Sequence, residues 1–213
     1  MPEILPVQFR KSAASVVSFS WEDVATGTTY AEMLACRASD EDLLLSRAVY
    51  SQTIYTDTEA ANNGALEKTN DIDFDATFSQ PITVKGKFIV NVTQGFYNTT
   101  GAVQTGTGYL VIRVRKWDGI SETEIANKQG LTKAYSGANS NITLQVDEIT
   151  VDVTAETTFK TGETLRITVE QWTTGNANNE LWYIIAHDPK NRAIAALTDP
   201  TTLTVQVPLV VDR

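Results

Sequence analysis

The chain has 213 residues, 42% hydrophobic and 20% charged, a balance that excludes wholesale disorder and suits one large β-sandwich or two small domains. A formal net charge of −9 argues against nucleic acid and against an anionic membrane surface as partners, since both demand basic residues. No apolar run approaches the roughly 20 residues of a membrane span, and Met1-Pro2-Glu3-Ile4-Leu5-Pro6 does not read as a secretory leader, so synthesis in a reducing cytoplasm is expected.

Residues 1 to 14 carry Pro2, Pro6 and Gln8-Phe9-Arg10-Lys11 with little periodicity and read as an extended N-terminal arm. Val17, Phe19 and Trp21 alternate with Ser18 and Ser20, the two-residue period of a strand. A turn at Ala25-Thr26-Gly27-Thr28 leads into a short apolar strand from Tyr30 to Cys36, and Ser39-Asp40-Glu41-Asp42 suits the cap of a helical turn. Cys36 has no partner for a disulfide, and its apolar setting reads as a buried inert thiol. Val49 to Tyr55 returns to strand residues, while Thr56 to Asn70 reads as a polar loop.

Ile72, Phe74, Ala76 and Phe78 then alternate with Asp71, Asp73, Asp75 and Thr77. Val84, Gly86, Phe88, Val90 and Val92 form one face of the next strand, and Phe96 to Gly108 reads as a turn region. Leu110, Ile112 and Val114 face opposite to Tyr109, Val111, Arg113 and Arg115. Asp118-Gly119 signals a turn, Ser121 to Gln129 is ambiguous, and Tyr135 to Asn141 reads as loop. Between Ile142–Val146 and Ile149–Val153, Asp147-Glu148 shifts the apolar register, as a bulge or a sheet-switching corner does. Leu165, Ile167 and Val169 follow the turn at Thr161-Gly162-Glu163, and Gly175 to Asn179 is a hairpin-type loop. Leu181 to Ala186 is apolar on both faces and reads as a strand that is central or covered on both sides. Asp188-Pro189 is a turn, and Leu203, Val205, Val207, Leu209 and Val211 make the final strand.

Eight to ten such strands without sustained helical periodicity predict an all-β fold, an antiparallel β-sandwich of jelly-roll type with Ig-like Greek keys as the alternative. No linker or repeat divides the chain, so the expectation is an arm (1–14) and one domain (15–213).

Chemistry-bearing residues are sparse. The single histidine, His187, and the single cysteine leave no usual zinc set and little for a Ser-His-Asp triad, so no cofactor or catalytic residue is assigned. Asp71, Asp73 and Asp75 project from one strand face and are the calcium candidates. Their spacing of about 6.6 Å favours a solvated or Lys/Arg-paired face instead. Tyr109, Arg113, Arg115 and Trp117 form a basic-aromatic face of the kind enriched at protein contacts. Trp172 and Trp182 flank the Gly175–Asn179 loop, where a sugar platform or core packing suits them.

Phe19-Ser20-Trp21-Glu22-Asp23-Val24-Ala25-Thr26-Gly27-Thr28-Thr29-Tyr30, together with His187-Asp188-Pro189-Lys190-Asn191-Arg192 and Leu203 to Leu209, resembles β-sandwich virion structural proteins of tailed bacteriophages and related viruses. The resemblance implies a non-enzymatic scaffold: a capsid decoration or minor capsid protein, or a head–tail or tail component. Its partners would be the major capsid protein or other virion subunits, in a homo-oligomer such as a trimer. Phe9, Arg10, Lys11, Arg113, Arg115 and Trp117 are the expected contact residues. A carbohydrate-binding or adhesin module is the second reading, and a jelly-roll enzyme the third.

Overall fold

In the computed structural model the described residues are 28–38, 42–49, 51–59, 64–99, 103–137, 142–174 and 181–210. Among them are twelve strands and no helix. The first six are β1 (Thr28–Arg37), β2 (Leu43–Ser46), β3 (Tyr55–Glu59), β4 (Leu66–Thr77), β5 (Ile82–Asn98) and β6 (Gln104–Trp117). The rest are β7 (Glu122–Gln129), β8 (Lys133–Gly137), β9 (Thr143–Phe159), β10 (Thr164–Thr174), β11 (Leu181–Ala186) and β12 (Thr204–Val210).

The hydrogen-bonded path runs β3-β11-β5-β12-β1-β2-β4-β10-β6-β7, with β9 beside β5 and β8 beside β6. Pairing is antiparallel except at β2 and β4, where Leu44 lies opposite Asp75 in a parallel bridge. Side chains of β5, β9 and β12 (Phe88, Val90, Val151, Val205) share one core with those of β4, β6 and β10 (Phe74, Ile112, Ile167). The path therefore folds back on itself and encloses that core between two layers. Each such buried side chain contributes about 1.5–3 kcal/mol by leaving water. The all-β, overwhelmingly antiparallel class is the expected one; the jelly-roll order is not established by this path.

Alternation written in the sequence is realised directly in β4, where Ile72, Phe74 and Ala76 are buried, and in β6, where Leu110, Ile112 and Val114 are sealed. Val205 and Val207 of β12, and Leu203 just before it, are equally buried. Pro208 interrupts that central strand, having no N–H to give its neighbour. The ladder to β5 slips between Gln206 and Leu209, and β5 slips against β9 between Val84 and Gly86. Gly86 absorbs the bulge at a φ of 115°, with Pro208 3.5 Å from where a Cβ would stand.

Several expectations change. The polar stretch Thr56 to Asn70 contains β3 and the start of β4, and the Phe96–Gly108 turn region contains the ends of β5 and β6. Ser121–Gln129 contains β7, and Tyr135–Asn141 overlaps β8. Short polar edge strands carry little apolar alternation, which is why they read as loops. The bulge expected at Asp147-Glu148 does not form: β9 pairs continuously with β5 there, Val146 opposite Thr93 and Asp147 opposite Val92. Leu144 and Val146 lie on the outer face, and Asp147 points inward with Ile149 and Val151. The arm, the Val17–Trp21 strand, the Ser39–Glu41 segment and the Gly175–Asn179 loop lie outside the described residues.

Candidate functional site

Three groupings carry polar chemistry: a charged outer face, a polar row between the layers, and a corner around His187.

The outer face of β4, β10, β6 and β7 brings Arg113, Arg115 and Trp117 together, but against carboxylates. Arg166 on β10 stands between Asp75 of β4 and Arg115 of β6. Its Nε and Nη2 donate to Asp75 at 2.8 and 2.7 Å, its Nη1 to Glu122 at 3.0 Å, and its guanidinium lies 5.8 Å from the Trp117 ring. Arg113 donates to both oxygens of Glu170 at 2.9 and 3.1 Å and to Glu124 at 2.7 Å, and Arg115 donates to Glu122 at 3.1 Å. Lys68 pairs with Asp71, and Thr168 donates to Asp73. Burial alone would raise the Glu170 carboxyl, but hydrogen bonds from Arg113 and Trp172 hold it below its ordinary range.

The carboxylates of Asp71, Asp73 and Asp75 are engaged by Lys68, Thr168 and Arg166. Among the described residues no group of three or more His, Cys, Asp and Glu is placed to hold a metal ion. Arg113 and Arg115 are likewise engaged within the chain, while Phe9, Arg10 and Lys11 lie outside the described residues.

Between the layers runs a row of side chains that sequence reading missed. Thr58 of β3 donates to Asn70 of β4 at 2.6 Å, Asn70 to Gln171 of β10 at 2.8 Å, and Gln171 to Gln94 of β5 at 3.3 Å. Gln94 donates in turn to Asp147 of β9, whose other oxygen meets Lys133 Nζ at 3.0 Å. Every bond points toward the Asp147 carboxylate, so the dipoles reinforce one another. Beyond this row Phe96, Tyr135, Leu181 and Tyr183 form a separate aromatic cluster. A signal for the row existed: Asn70, Gln94, Asp147 and Gln171 all occupy inward parity in strands otherwise apolar on that face.

His187 follows β11 and is fully buried, its ring 5.7 Å from Phe74. Nε2 is hydrogen-bonded to Thr56 Oγ1 at 2.9 Å, while Nδ1 has no partner among the described residues. Burial lowers its pKa to about 4, so the ring is neutral near pH 7. The adjacent Asp188 faces elsewhere, accepting from the amides of Lys190 and Arg192 and from Arg192 Nε at 2.8 Å. Asp188 therefore forms the turn expected of it. A hydroxyl–imidazole pair is present, but among the described residues no carboxylate orients Nδ1, and the ring is sealed from solvent.

Trp172 donates from Nε1 to Glu170 at 3.0 Å, and Tyr183 is fully buried, donating to the Thr174 carbonyl at 2.8 Å. Trp182 is half-buried on the outer face of β11, stacked on Tyr97. As expected, β11 is covered on both sides: Ile184 and Ala186 pack outward under Ile194.

Neither a family model nor a curated protein matches the sequence. Solved structures do share the fold. An aminopeptidase from a marine sediment archaeon, Thaumarchaeota archaeon, aligns over 86% of this chain at a TM-score of 0.52 and 7% identity. A CocE/NonD family hydrolase from Staphylococcus aureus aligns over 86% at 0.50 and 14%, and an α-amino acid ester hydrolase over 84% at 0.50 and 8%. The chain spans only 36–37% of the length of those enzymes. At these identities the likeness is one of fold.

It nevertheless overturns the expectation of a non-enzymatic virion protein. A likeness to an infectious bursal disease virus structure reaches a TM-score of only 0.27 at 11% identity and carries no argument. Of the peptides that suggested a virus, residues 19–27 lie outside the described residues, and the His187–Leu209 stretch forms a turn and the strand β12.

Proposed function

We propose that this chain is the β-domain of a hydrolase that acts on esters or amides of amino acids, working packed against a catalytic domain. The observation that carries the reading is the fold likeness: three hydrolytic enzymes share this fold across at least 84% of the chain, which equals little more than a third of each. A chain that corresponds to one part of larger enzymes suits a domain that completes them. The names of two of the three, an α-amino acid ester hydrolase and an aminopeptidase, favour substrates with a free amino group. The rigid, internally paired face of β4, β10, β6 and β7 supports a scaffolding contribution, because preorganised charges need no rearrangement on docking.

The test is isolation of the full-length protein from its native source under non-denaturing conditions. Eluate is assayed with aminoacyl p-nitroanilides and amino-acid esters, and labelled with a fluorophosphonate. Turnover at least about tenfold above a mock preparation, travelling with the chain through two chromatographic steps, is expected. A chain that elutes without hydrolytic activity, alone or in company, overturns the reading.

A further inference from the structure

The outer face of β3, β11 and β5 carries a feature unlike the charged face across the molecule. Glu59 of β3, Trp182 of β11 and Tyr97 of β5 stand in one cross-strand row, and Asp57, Ile184 and Gly95 form the next. The Tyr97 and Trp182 rings stack with centroids 6.0 Å apart and planes 13° from parallel. Both are half-buried. Beneath this row Leu144 and Ile184 pack with Tyr55 and Ile142, Ile184 fully buried. Leu144 lies directly against Gly95, where a Cβ would stand 2.5 Å from Leu144 Cδ2 and from the Thr143 carbonyl oxygen.

The Tyr97 hydroxyl reaches across β11 and donates to Asp57 Oδ2 at 2.7 Å. That bond locks the stack and holds the carboxylate at its edge. Burial first, then the bond to Asp57 and the charges of Asp57 and Glu59, keep the phenol protonated well above its ordinary range. Neither Asp57 nor Glu59 has a cationic partner among the described residues. The carboxylates of the opposite face are all engaged by cations or a hydroxyl.

We infer that this face is a recognition site for a primary ammonium group, with Trp182 and Tyr97 as its aromatic wall and Asp57 and Glu59 as its counter-charges. An ammonium is attracted by an indole face as well as by carboxylates, and its three N–H donors match acceptors on the rim of the wall. The identification of the ligand as an α-amino acid ester or amide rests on the hydrolase reading; the ammonium chemistry does not.

The test uses the full chain and phenylalaninamide, with N-acetylphenylalaninamide as the neutral counterpart of nearly the same shape. Tryptophan fluorescence and calorimetry read the titration. Saturable binding with a Kd on the order of 1 mM is expected, and at least about tenfold weaker binding of the acetylated compound. Asp57→Asn and Glu59→Gln, on an edge strand, are checked for an unchanged thermal transition; each weakens phenylalaninamide binding about tenfold or less, and the pair by more. Trp182→Phe removes most of the fluorescence response. Equal binding of the two compounds, no saturation of either, or affinity indifferent to both carboxylate variants overturns the inference. The acetyl comparison needs no variant, so a misfolded mutant leaves it decisive. Ammonium binding by a chain that carries no hydrolase would leave this site standing and remove the hydrolase reading. Hydrolytic activity without selective ammonium binding would do the reverse.

Discussion

Gln171 on β10 donates to Gln94 on β5 at 3.3 Å, and this bond joins the two layers across the interior. Both side chains are fully buried, so each amide depends on the next for its hydrogen bonds. The row from Thr58 to Lys133 thereby behaves as one unit, and it divides the main core from the aromatic cluster around Tyr183.

Gln171→Leu leaves the Gln94 carbonyl without its donor and the Asn70 amide with only the Tyr183 carbonyl at 3.3 Å, in a buried setting. A loss of about 2–4 kcal/mol is expected, read from urea denaturation, because unmade buried hydrogen bonds cost more than made ones contribute. Leu at Gln171 combined with Leu at Gln94 and Asn70 is expected to recover part of it. Equal losses for the single and the triple variant would show that the row is not a unit.

Gly106→Ala introduces a Cβ that would stand 2.3 Å from the Tyr183 hydroxyl and 2.7 Å from the Thr174 carbonyl oxygen. The hydroxyl cannot simply move aside, since it is held by that same carbonyl at 2.8 Å. A destabilisation of about 1–3 kcal/mol follows. Tyr183→Phe in the same chain relieves the nearer clash and is expected to recover part of the loss in thermal denaturation.

Glu170→Ala removes the carboxylate that Arg113 grips with two bonds and that Trp172 and Lys68 also face. Arg113 retains Glu124 and partial hydration, so the expected cost is about 2–3 kcal/mol rather than that of a fully buried orphan charge. Glu124→Ala, at the exposed end of the same guanidinium, costs under about 1 kcal/mol. A double-mutant cycle with Arg113→Leu separates the pair from its surroundings.

His187 ties stability to pH. Its pKa lies near 6.5 when unfolded and is held down to about 4 by burial in the folded chain. Below pH 6.5 the unfolded chain takes up a proton that the folded chain refuses. Stability is therefore full above that pH and falls as pH drops toward 4, by roughly 3 kcal/mol in all. His187→Gln, which keeps a hydrogen-bonding group for Thr56, is expected to flatten the slope of denaturation midpoint against pH between 6.5 and 4. An unchanged slope would place the acid sensitivity elsewhere.

Much of the fold was legible because a strand writes its buried face every second residue. Phe74, Ile112, Ile167 and Val205 are buried on the parity their neighbours predict. The edge strands β3, β7 and β8 were not legible: their sequences, such as Tyr55–Glu59, are polar on both parities. Of the site residues, the carboxylates of β4 were visible as a row, but their cations come from strands far along the chain. Arg166 reaches Asp75 across 91 positions.

The sequence by itself determined an all-β chain, the inward parity of its long strands and the covered setting of β11, since these follow from local periodicity. The tertiary structure alone decided which polar side chains meet. Period two assigns a residue to a face but not to the strand opposite it, and Thr56 and His187 are brought together over 131 positions by the path of the sheet. The likeness in fold turned on the same limit. Short peptides suggested a virion scaffold, whereas the fold is shared with solved structures of hydrolases, and the strand order behind it arises from long-range pairing no local pattern contains.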